Sequence, residues 1–464
     1  MGHAVNEDRF RLLVDGQDVP ICSSYECNAS VFEVPAQFSM TVGHTGLLSD
    51  LIHNYCEGTP FELYVNDVRV MQGEVDEVKG AGGDGTQLIV SGRDRLARIY
   101  DSEVDSDRTF SNVTFTDITE AAMADVGFGD VSLVSSNLAN RKAITGTYKV
   151  SAVTPPSQES TDEQLGQTVE KRTKTVHKTL AIEAGTTWWE FLVTQYQRGG
   201  LFLWADVFGG FVLGQPNGKQ EPLYRLVRRR TGKGEEGDVN FIGQPEFSRS
   251  IRPRYSEFHV MGRKGSGTNG RDFAFKRQID EEVVALLNPN PADRKDGGKR
   301  KKIKVYRDDK LKTPEQAAFL ALRKMAQSRR DGFNLSYTIA GHTLPALRGG
   351  GRLVLQPDTV IHVVDEELGI DMPMYLGTGN YPRGPQCTTK LTLTRCEDLL
   401  FGDEDLLAPV PVKKAGLVRM GRTEVFRPKW IKDPNWGNLP TLRGVQLNEA
   451  GDGFDVIPGA ERRR

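Results

Sequence analysis

The chain has 464 residues, 38% of them apolar and 26% charged, and its 60 basic side chains nearly balance its 62 acidic ones. This length exceeds what one hydrophobic core usually organises and predicts about three domains, while the net charge of −2 gives no overall attraction to nucleic acid or to a membrane. No run of about 18 apolar residues is present to span a bilayer, and the N-terminal segment MGHAVNEDRFRLLV lacks the apolar core of a signal peptide, so we expect a protein made and kept in the cytoplasm.

The first 98 residues predict a small antiparallel β-barrel domain. Alternating apolar and polar residues indicate strands at 9–14, 30–42, 61–65, 68–78 and 88–91, and a short helix is expected at 47–55. The pair Asn66-Asp67 is typical of a tight hairpin turn, and Pro35 indicates an edge or a bulge in the second strand. Because a closed barrel leaves no strand edge unpaired, we predict that residues 1–98 form one such domain.

Residues 99–248 change to a mixed pattern that predicts a middle α+β domain. The spacing of Asp117 and Glu120 is that of a capping box and predicts a helix up to about residue 126, and Thr187 with Glu190 predicts a second helix. A polar stretch at 154–174 indicates a mobile loop, and residues 201–207 and 211–214 indicate a hairpin.

Residues 249–402 predict a second β-barrel domain with an inserted basic loop, at 295–304, and a helix at 313–330. Thr313 is suited to be the N-cap of that helix and Pro314 its first residue. Strands are expected at 256–261, 333–339, 352–355, 360–364, 374–381 and 390–394. Residues 403–464 carry scattered prolines and little periodic pattern, so we interpret them as a C-terminal extension.

The two predicted barrels share a repeated stretch at their ends. With an offset of 303, Leu88 matches Leu391, Val90 matches Leu393, Ser91 matches Thr394, Asp94 matches Glu397 and Leu96 matches Leu399. Each copy predicts a half-buried strand that runs into a short charged segment, whose leucine folds back as a cap. The sequence therefore predicts a mainly β protein in which two similar barrels frame the middle domain.

Motifs that suggest ligand binding have simpler structural interpretations. The GxGxxG matches at 80–85 and 265–270 each precede another strand rather than a helix, which predicts hairpin tips instead of a dinucleotide site. The seven histidines never take a metal-binding spacing and the five cysteines include no CxxC pair, so we predict no metal, no cofactor and free thiols. The basic run at 299–304 lacks interleaved aromatic residues, which favours a surface loop over a phosphate-binding site.

One acidic turn keeps an enzymatic alternative open. Its carboxylates are Asp365, Glu366, Glu367 and Asp371. Two of them could serve as acid and base in the cleavage of a glycan, although carboxylates at an exposed turn are usually just solvated. We predict no catalytic residue and keep a glycan hydrolase as the alternative, together with a carbohydrate-binding β-protein in which Trp204, Trp430 and Trp436 stack on sugars.

Several segments, in this order along the chain, resemble a known family. They are SGRDRLA at 91–97 with Tyr100-Asp101-Ser102, TTWWEFL at 186–192 leading to RGGL at 198–201, residues 256–262, and residues 363–372 leading into Leu391-Thr392-Leu393. Over roughly residues 5–402 the chain resembles the baseplate hub proteins of contractile phage tails, in particular the Mu-type hub and the late-control D proteins, which are related to the base of type VI secretion spikes. The polar stretch at 154–174, the basic run and the last 60 residues depart from that pattern.

The resemblance implies a structural protein of the virion rather than an enzyme. Such hubs are homotrimers in the tail baseplate that join the tail tube to the central spike, with a channel through which DNA passes in transit. No β-helical repeat follows residue 402, so we expect the spike to be a separate protein. Two barrels in each of three chains would present six barrels to a six-fold tube and keep three-fold symmetry toward the spike.

The C-terminal extension predicts a contact with other baseplate proteins. Its aromatic side chains are Phe426, Trp430, Trp436 and Phe454. They are too few to form a core, and extended segments of this kind gain order by laying aromatic side chains into the grooves of a partner. We therefore predict these four as partner-contact residues.

Overall fold

A computed structural model describes most of the chain up to residue 399. The described residues are 8–19, 22–44, 56–81, 86–143, 147–152, 172–177, 179–229, 241–263, 273–308, 311, 314–348, 351–382 and 387–399, with the short segments 445–447 and 454–456. Strands predominate over helices, which confirms the mainly β prediction. The predicted helix at 47–55 lies outside the described residues.

The first β-unit comprises seven strands and one short helix. They are β1 (Phe10–Val14), β2 (Gln17–Asp18), β3 (Cys22–Ser30), β4 (Gln37–His44), β5 (Pro60–Val65), β6 (Val68–Ala81), β7 (Thr86–Asp94) and α1 (Leu96–Asp101). The β5–β6 hairpin turns at Asn66 and Asp67 with φ of 49° and 62°, the left-handed backbone that such a turn requires. We call these elements unit 1.

The predicted strand at 30–42 is wrong in its bounds, and strand β3 was missed. Ser30 ends β3, residues 31–36 make a turn with a cis bond before Pro35, and the chain is extended again from Gln37. Buried residues of β3 alternate as Tyr25, Cys27 and Ala29. Two of the three, Cys27 and Ala29, are small, so the buried face of β3 gives only a weak hydrophobicity pattern.

The middle region consists of short strands around two helices. Its elements are β8 (Arg108–Ser111), α2 (Phe115–Asp125), β9 (Leu133–Ser135), β10 (Thr147–Ala152), β11 (Arg172–His177), β12 (Thr179–Ile182), α3 (Trp188–Gly199), β13 (Phe202–Ala205) and β14 (Phe211–Gly214). Strand β14 pairs with β13 and β9, β12 pairs with β8, and β10 pairs with β11. Residues 172–174 of the predicted loop belong to β11, and its residues 154–171 lie outside the described part of the chain.

The helix caps of the middle region differ from the prediction at one of two places. The capping box of α2 is formed by Thr114 and Asp117, three residues before the predicted pair, because Asp117 lies at the third helical position and accepts a bond from the Thr114 backbone N–H. The cap of α3 is confirmed, since Thr187 Oγ1 accepts a bond of 3.2 Å from the Glu190 backbone N–H. That helix ends at Gly200, which has a φ of 68°.

Two strands lead from the middle region into the second half, and a separate insertion follows them. These elements are β15 (Tyr224–Arg228), β16 (Glu246–Arg249), β17 (Glu257–Arg263), β18 (Phe273–Ile279), α4 (Glu281–Leu287), β19 (Ile303–Asp308) and α5 (Pro314–Asp331). Helix α5 confirms the predicted helix at 313–330 within one residue at each end. Strands β17, β18 and β19 form their own sheet in the order β18–β17–β19. The strand predicted at 256–261 as part of the second barrel domain is β17, which lies in the separate sheet of this insertion instead.

The remaining strands complete the second β-unit. They are β20 (Phe333–Ala340), β21 (Thr343–Pro345), β22 (Arg352–Val354), β23 (Thr359–Asp365), β24 (Ile370–Asn380) and β25 (Thr388–Arg395), and a 3-10 turn at Cys396–Leu399 follows. We call β15, β16 and β20 to β25 with this turn unit 2. A further pair, β26 (Val445–Leu447) with β27 (Phe454–Val456), lies in the C-terminal extension.

The two units repeat one strand order within a single 13-stranded sheet. Unit 1 has the order β3–β4–β7–β6–β5–β1, and unit 2 has the order β16–β20–β25–β24–β23–β15. The last strand differs in direction, because β1 pairs with β5 antiparallel and β15 pairs with β23 parallel. Strand β24 pairs with β3 and so joins the units. Among the described residues no sheet closes into a barrel.

The repeated stretch behaves as predicted in both units. Leu88 and Leu391 are fully buried in β7 and β25, and the leucines that follow, Leu96 and Leu399, are buried in α1 and in the 3-10 turn. Both units share one hydrophobic core, which runs from Met40 in unit 1 to Tyr337 in unit 2. None of the helices within the described residues has the length and apolar character to cross a membrane.

Candidate functional site

The pairing of β3 with β24, which we call the seam, joins the two units within the chain. Across it, residues 378–380 of β24 pair antiparallel with residues 28–30 of β3. The backbone N–H of Tyr381 donates to the Cys27 carbonyl at 2.8 Å, and that of Val31 donates to the Gly377 carbonyl at 3.0 Å. A Cβ on Gly379 would lie 2.6 Å from the hydroxyl of Tyr381, two residues further along the chain, so the Tyr381 ring fills the space beside this glycine.

Polar side chains reinforce the seam on one face. Ser30 Oγ and Thr378 Oγ1 lie 2.8 Å apart, and Asn380 Nδ2 donates to Glu26 Oε1 at 3.0 Å. Ser30 and Thr378 are directly opposite each other, and the Asn380 bond to Glu26 is diagonal; cross-strand pairs of both kinds stabilise a sheet. The seam is therefore a complete strand pairing and not a loose contact between domains.

A buried histidine fixes the other side of the seam. His342 is fully buried; its Nδ1 lies 2.7 Å from Thr389 Oγ1 and its Nε2 lies 2.6 Å from Tyr25 Oη. Thr389 donates its own proton to the Gly341 carbonyl at 2.7 Å, so it accepts from Nδ1–H. The imidazole thus carries a proton on Nδ1, and in its neutral form Nε2 accepts the hydroxyl proton of Tyr25, which belongs to unit 1.

This cluster also contains a thiol that the sequence did not place near a histidine. Cys387 Sγ lies 3.2 Å from His342 Nε2. The two residues are 45 positions apart, which hides the pair from a motif search. Cys387 Sγ also lies 3.7 Å from the Tyr25 hydroxyl, so the cluster brings together side chains of both units.

The acidic turn considered as a glycan-cleaving site is neutralised by basic partners. Asp365 is fully buried, accepts the Tyr337 hydroxyl proton at 2.8 Å and receives the Arg228 guanidinium at 3.4 Å. Glu367 pairs with the same Arg228. Glu366 lies 3.8 Å from Arg229, and Asp371 lies 3.0 Å from His362. Each of the four carboxylates therefore has a basic side chain of the same chain as its partner.

The basic run is built into the insertion. Lys301 lies 2.9 Å from Glu257, Lys299 lies 2.5 Å from Asp293, and Lys302 Nζ donates to the Ile251 carbonyl at 3.0 Å. The predicted surface loop is correct only up to residue 302, because residues 303 onward form β19. These lysines have partners within the chain, which weakens the case for a phosphate-binding site.

A cleft of about 180 Å³ lies at the end of unit 1. It is lined by Glu74, Asp76, Arg93, Asp94, Ala97, Arg98, Asp101 and Ser102. Arg93 pairs with Asp76 and with Asp101, each at 2.6 Å. Burial raises the pKa of Asp94 to about 7, although the carboxylate accepts backbone bonds of 2.9 Å from Ala36 and Leu96. The cleft charges satisfy one another and hold α1 against the sheet.

No protein-family model and no curated protein matches this chain. Solved structures do match. A 43 kDa tail protein of prophage MuSo2 from Shewanella oneidensis has a TM-score of 0.60 at 17% identity, over 85% of this chain and 100% of the other. A tail protein from Neisseria meningitidis MC58 has a TM-score of 0.60 at 18% identity, over 85% of this chain and 99% of the other. The chain has the fold of these phage tail proteins.

The remaining predicted residues are distributed as follows. Phe426, Trp430 and Trp436 lie outside the described residues, and Phe454 begins β27. Trp204 is 7% exposed in β13, so it packs in the core and is not available to stack on a sugar. Both GxGxxG matches join strands that pair antiparallel, β6 with β7 and β17 with β18, which fits hairpins.

No cluster of three or more metal-ligating side chains occurs among the residues that the structure describes. His259 Nε2 lies 2.9 Å from Glu257, and His362 bonds Asp371. Both histidines lie on strands and are occupied by a carboxylate of the chain. Among the described residues, the contacts that join the two units are the most extensive of the candidate sites.

Proposed function

We propose that this protein is the structural hub of a contractile phage tail or of a related contractile injection system. The observation that carries the proposal is the repeated strand order of two units joined through β3 and β24. The fold shared with two prophage tail proteins supports it. In this role the protein has no catalytic activity and resides in the tail baseplate of the virion after assembly in the host cytoplasm.

The proposed assembly is a homotrimer. Three chains carry six β-units, which match a tail tube of six equal subunits while the trimer keeps the three-fold symmetry of a spike. In this arrangement the two units take the place of the two small barrel domains predicted for residues 1–98 and 249–402, and unit 2 also includes β15 and β16 from the preceding stretch. The closure of each barrel would then need strands beyond those in the described part of one chain.

The trimer would enclose a channel for DNA in transit. Basic side chains on its wall would hold phosphates and slow passage. We therefore place residues 299–304 and 228–230 away from the lumen. The pairing of Lys299, Lys301 and Arg228 with carboxylates of the same chain agrees with that placement.

The partners in this proposal are the tail tube protein, a separate spike protein and other baseplate proteins. The extension at 403–464 would supply the last of these contacts through Phe426, Trp430, Trp436 and Phe454. A tail-associated glycan hydrolase or a carbohydrate-binding protein is not favoured, because the acidic turn is paired with cations and Trp204 is buried.

The mass of the native particle in solution tests the proposal. A trimer of 51.5 kDa chains is expected, and electron microscopy should show a ring with six similar β-units around a central channel. A monomer or a dimer at micromolar concentration would refute it. Incubation with peptidoglycan tests the alternative, since turnover that Glu366→Gln or Glu367→Gln abolishes would establish a hydrolase instead.

A further inference from the structure

Two arginines of helix α5 have no carboxylate within ion-pair distance among the residues that the structure describes. The Arg323 guanidinium lies 3.9 Å from the ring centre of Phe202, and the Arg330 guanidinium lies 3.9 Å from that of Phe32. These two rings meet edge to face, with their centroids 5.9 Å apart. Both cations therefore lie against one pair of aromatic rings.

The hydrogen-bonding capacity of the two guanidinium groups is largely unused within the described part of the chain. Arg330 Nη1 is buried and has no hydrogen-bond partner, and Arg323 Nη1 donates to the Leu201 carbonyl. A guanidinium carries five N–H donors, and a buried donor without an acceptor costs free energy. Burial, and then the charge of Arg330, lowers the pKa of Arg323 to about 9. The pair is thus short of negative charge.

The nearest described carboxylates do not fill this gap. Asp398 is buried; its oxygens accept from Arg395 at 2.7 and 3.0 Å and lie 3.8 Å from Arg329. Asp331 ends α5 and is exposed. Both carboxylates favour the charged form of Arg330 from a distance without forming an ion pair with it. An anion for these two arginines would therefore come from outside the described residues.

The chain leaves the described residues beside this pair. Leu399, the last of them before the extension, belongs to one small apolar cluster with Phe202 and Ala326. Ala326 lies on α5 between the two arginines, three residues after the first and four before the second, so all three share one side of the helix. The next acidic residues follow Leu399 by four to six positions and are Asp403, Glu404 and Asp405.

We propose that the acidic stretch Asp403–Asp405 folds back onto α5, pairs with Arg323 and Arg330, and so anchors the start of the C-terminal extension. Four to six extended residues reach roughly 13–20 Å, and positions 323 and 330 are roughly 10 Å apart along the helix, so the stretch can reach both. Successive carboxylates fit two separate cations better than one small anion does. Carboxylate oxygens also match the planar donors of a guanidinium.

The anchor gives the extension a fixed starting point. The aromatic residues proposed to contact other baseplate proteins begin at Phe426, about 20 positions after the acidic stretch. A segment that is already held at one end loses less conformational freedom when its far part binds, which favours that binding. The anchor does not depend on the proposed trimer, because all of its groups belong to one chain.

Cleavage of the full chain by a glutamate-specific protease after Glu404 measures the contact. The protease needs this segment free of α5, so the cleavage rate follows the fraction of molecules in which the contact is open. The double variant Arg323→Gln, Arg330→Gln should raise the rate about five-fold, as expected for the loss of two partly exposed ion pairs. The double variant Asp403→Asn, Asp405→Asn keeps the cleavage site and should raise the rate to a similar degree.

The controls separate the contact from general effects of charge. Lys324→Gln removes a cation from the same helix, but the ammonium of Lys324 lies 5.5 Å from the ring centre of Tyr306 in the insertion, so the rate should not change. Cleavage after Glu424, in the same extension, is the internal reference. Combining the arginine and aspartate substitutions should give no more than either pair alone, since both remove one contact. This cycle also corrects for any effect of Asp403 and Asp405 on the protease itself.

The result that overturns the anchor is a folded Arg323→Gln, Arg330→Gln variant that is cleaved after Glu404 at the wild-type rate, or effects of the two pairs that multiply. If circular dichroism shows that this variant does not fold, the aspartate variant decides in high salt, which screens ion pairs. Salt should then accelerate cleavage of the wild type and not of the aspartate variant, and equal responses refute the anchor. The native mass is measured separately, so the anchor and the trimeric hub can fail independently.

Discussion

Removing one hydroxyl group from the buried cluster at the seam should weaken the contact between the two units. In Tyr25→Phe, the Nε2 atom of His342 loses the donor at 2.6 Å that comes from unit 1. Phenylalanine keeps the ring stacked on Phe10, where the centroids are 3.6 Å apart, so the apolar packing is preserved. The change therefore tests the hydrogen bond and not the volume of the core.

The size of the effect follows from the burial of the acceptor. A buried acceptor left without its partner costs roughly 1–3 kcal/mol of unfolding free energy. Cys387 Sγ, 3.2 Å from the same nitrogen, is a weak donor that can replace part of the lost bond. We therefore expect a loss of about 1–2 kcal/mol, which in urea lowers the unfolding midpoint by roughly 0.3–0.5 M for a chain of this size.

The matched control is Tyr64→Phe. The hydroxyl of Tyr64 donates to Glu62 on the same strand near the surface, where water can replace it, and this variant should stay within about 0.5 kcal/mol of the wild type. A double-mutant cycle of Tyr25→Phe with Thr389→Val tests the tautomer, because Thr389 fixes the Nδ1 proton. Coupling below about 0.5 kcal/mol, or a Tyr25→Phe variant as stable as the control, would show that the cluster does not join the units as described.

Three further predictions concern acid stability, thiols and the extension. The Arg277 guanidinium, 2.8 Å from Glu257, holds the pKa of that nearly buried carboxyl at about 2. The stability that this ion pair contributes is therefore complete above the unfolded-state pKa and is lost as pH falls from about 4.5 to 2. Urea midpoints of the wild type should drop over that range more steeply than those of Glu257→Gln, and equal slopes would contradict the assignment. The exposed Cys56 should react with a thiol reagent within seconds to minutes. Cys27 is buried, and burial raises its pKa to about 12, so it should react only on unfolding. Fast labelling of Cys27 in the native protein would contradict this prediction. Deletion after Gly402 should leave the melting temperature nearly unchanged and impair assembly with other baseplate proteins, and a much lower melting temperature would mean that the extension belongs to the core of this chain.

Local elements were predictable where one segment carries its own signal. The turn at Asn66-Asp67 requires left-handed backbone, which these residues tolerate, and it defines the β5–β6 hairpin without help from elsewhere. Helix α5 begins at Pro314 and helix α3 follows the Thr187 cap, so both could be located from their N-terminal residues. The repeat at an offset of 303 was visible because the leucines at equivalent positions are buried in both units.

Strand pairing between distant segments could not be predicted. Strand β3 was missed because its buried face includes the small residues Cys27 and Ala29 and gives a weak pattern. Strand β17 was assigned to the wrong sheet because its pattern does not say which neighbour it takes. An alternating pattern reports only that one face of a strand is buried. The partner of the strand is chosen by the packing of the whole chain.

The candidate site depended on tertiary structure still more strongly. Tyr25 and His342 are 317 residues apart, and nothing in either local sequence indicates that a hydroxyl of one unit donates to an imidazole of the other. The sequence by itself determined that the protein has two similar β-units, because burial periodicity is local; only the tertiary structure decided which edges are joined and which are left open, because edge pairing depends on contacts across the whole fold.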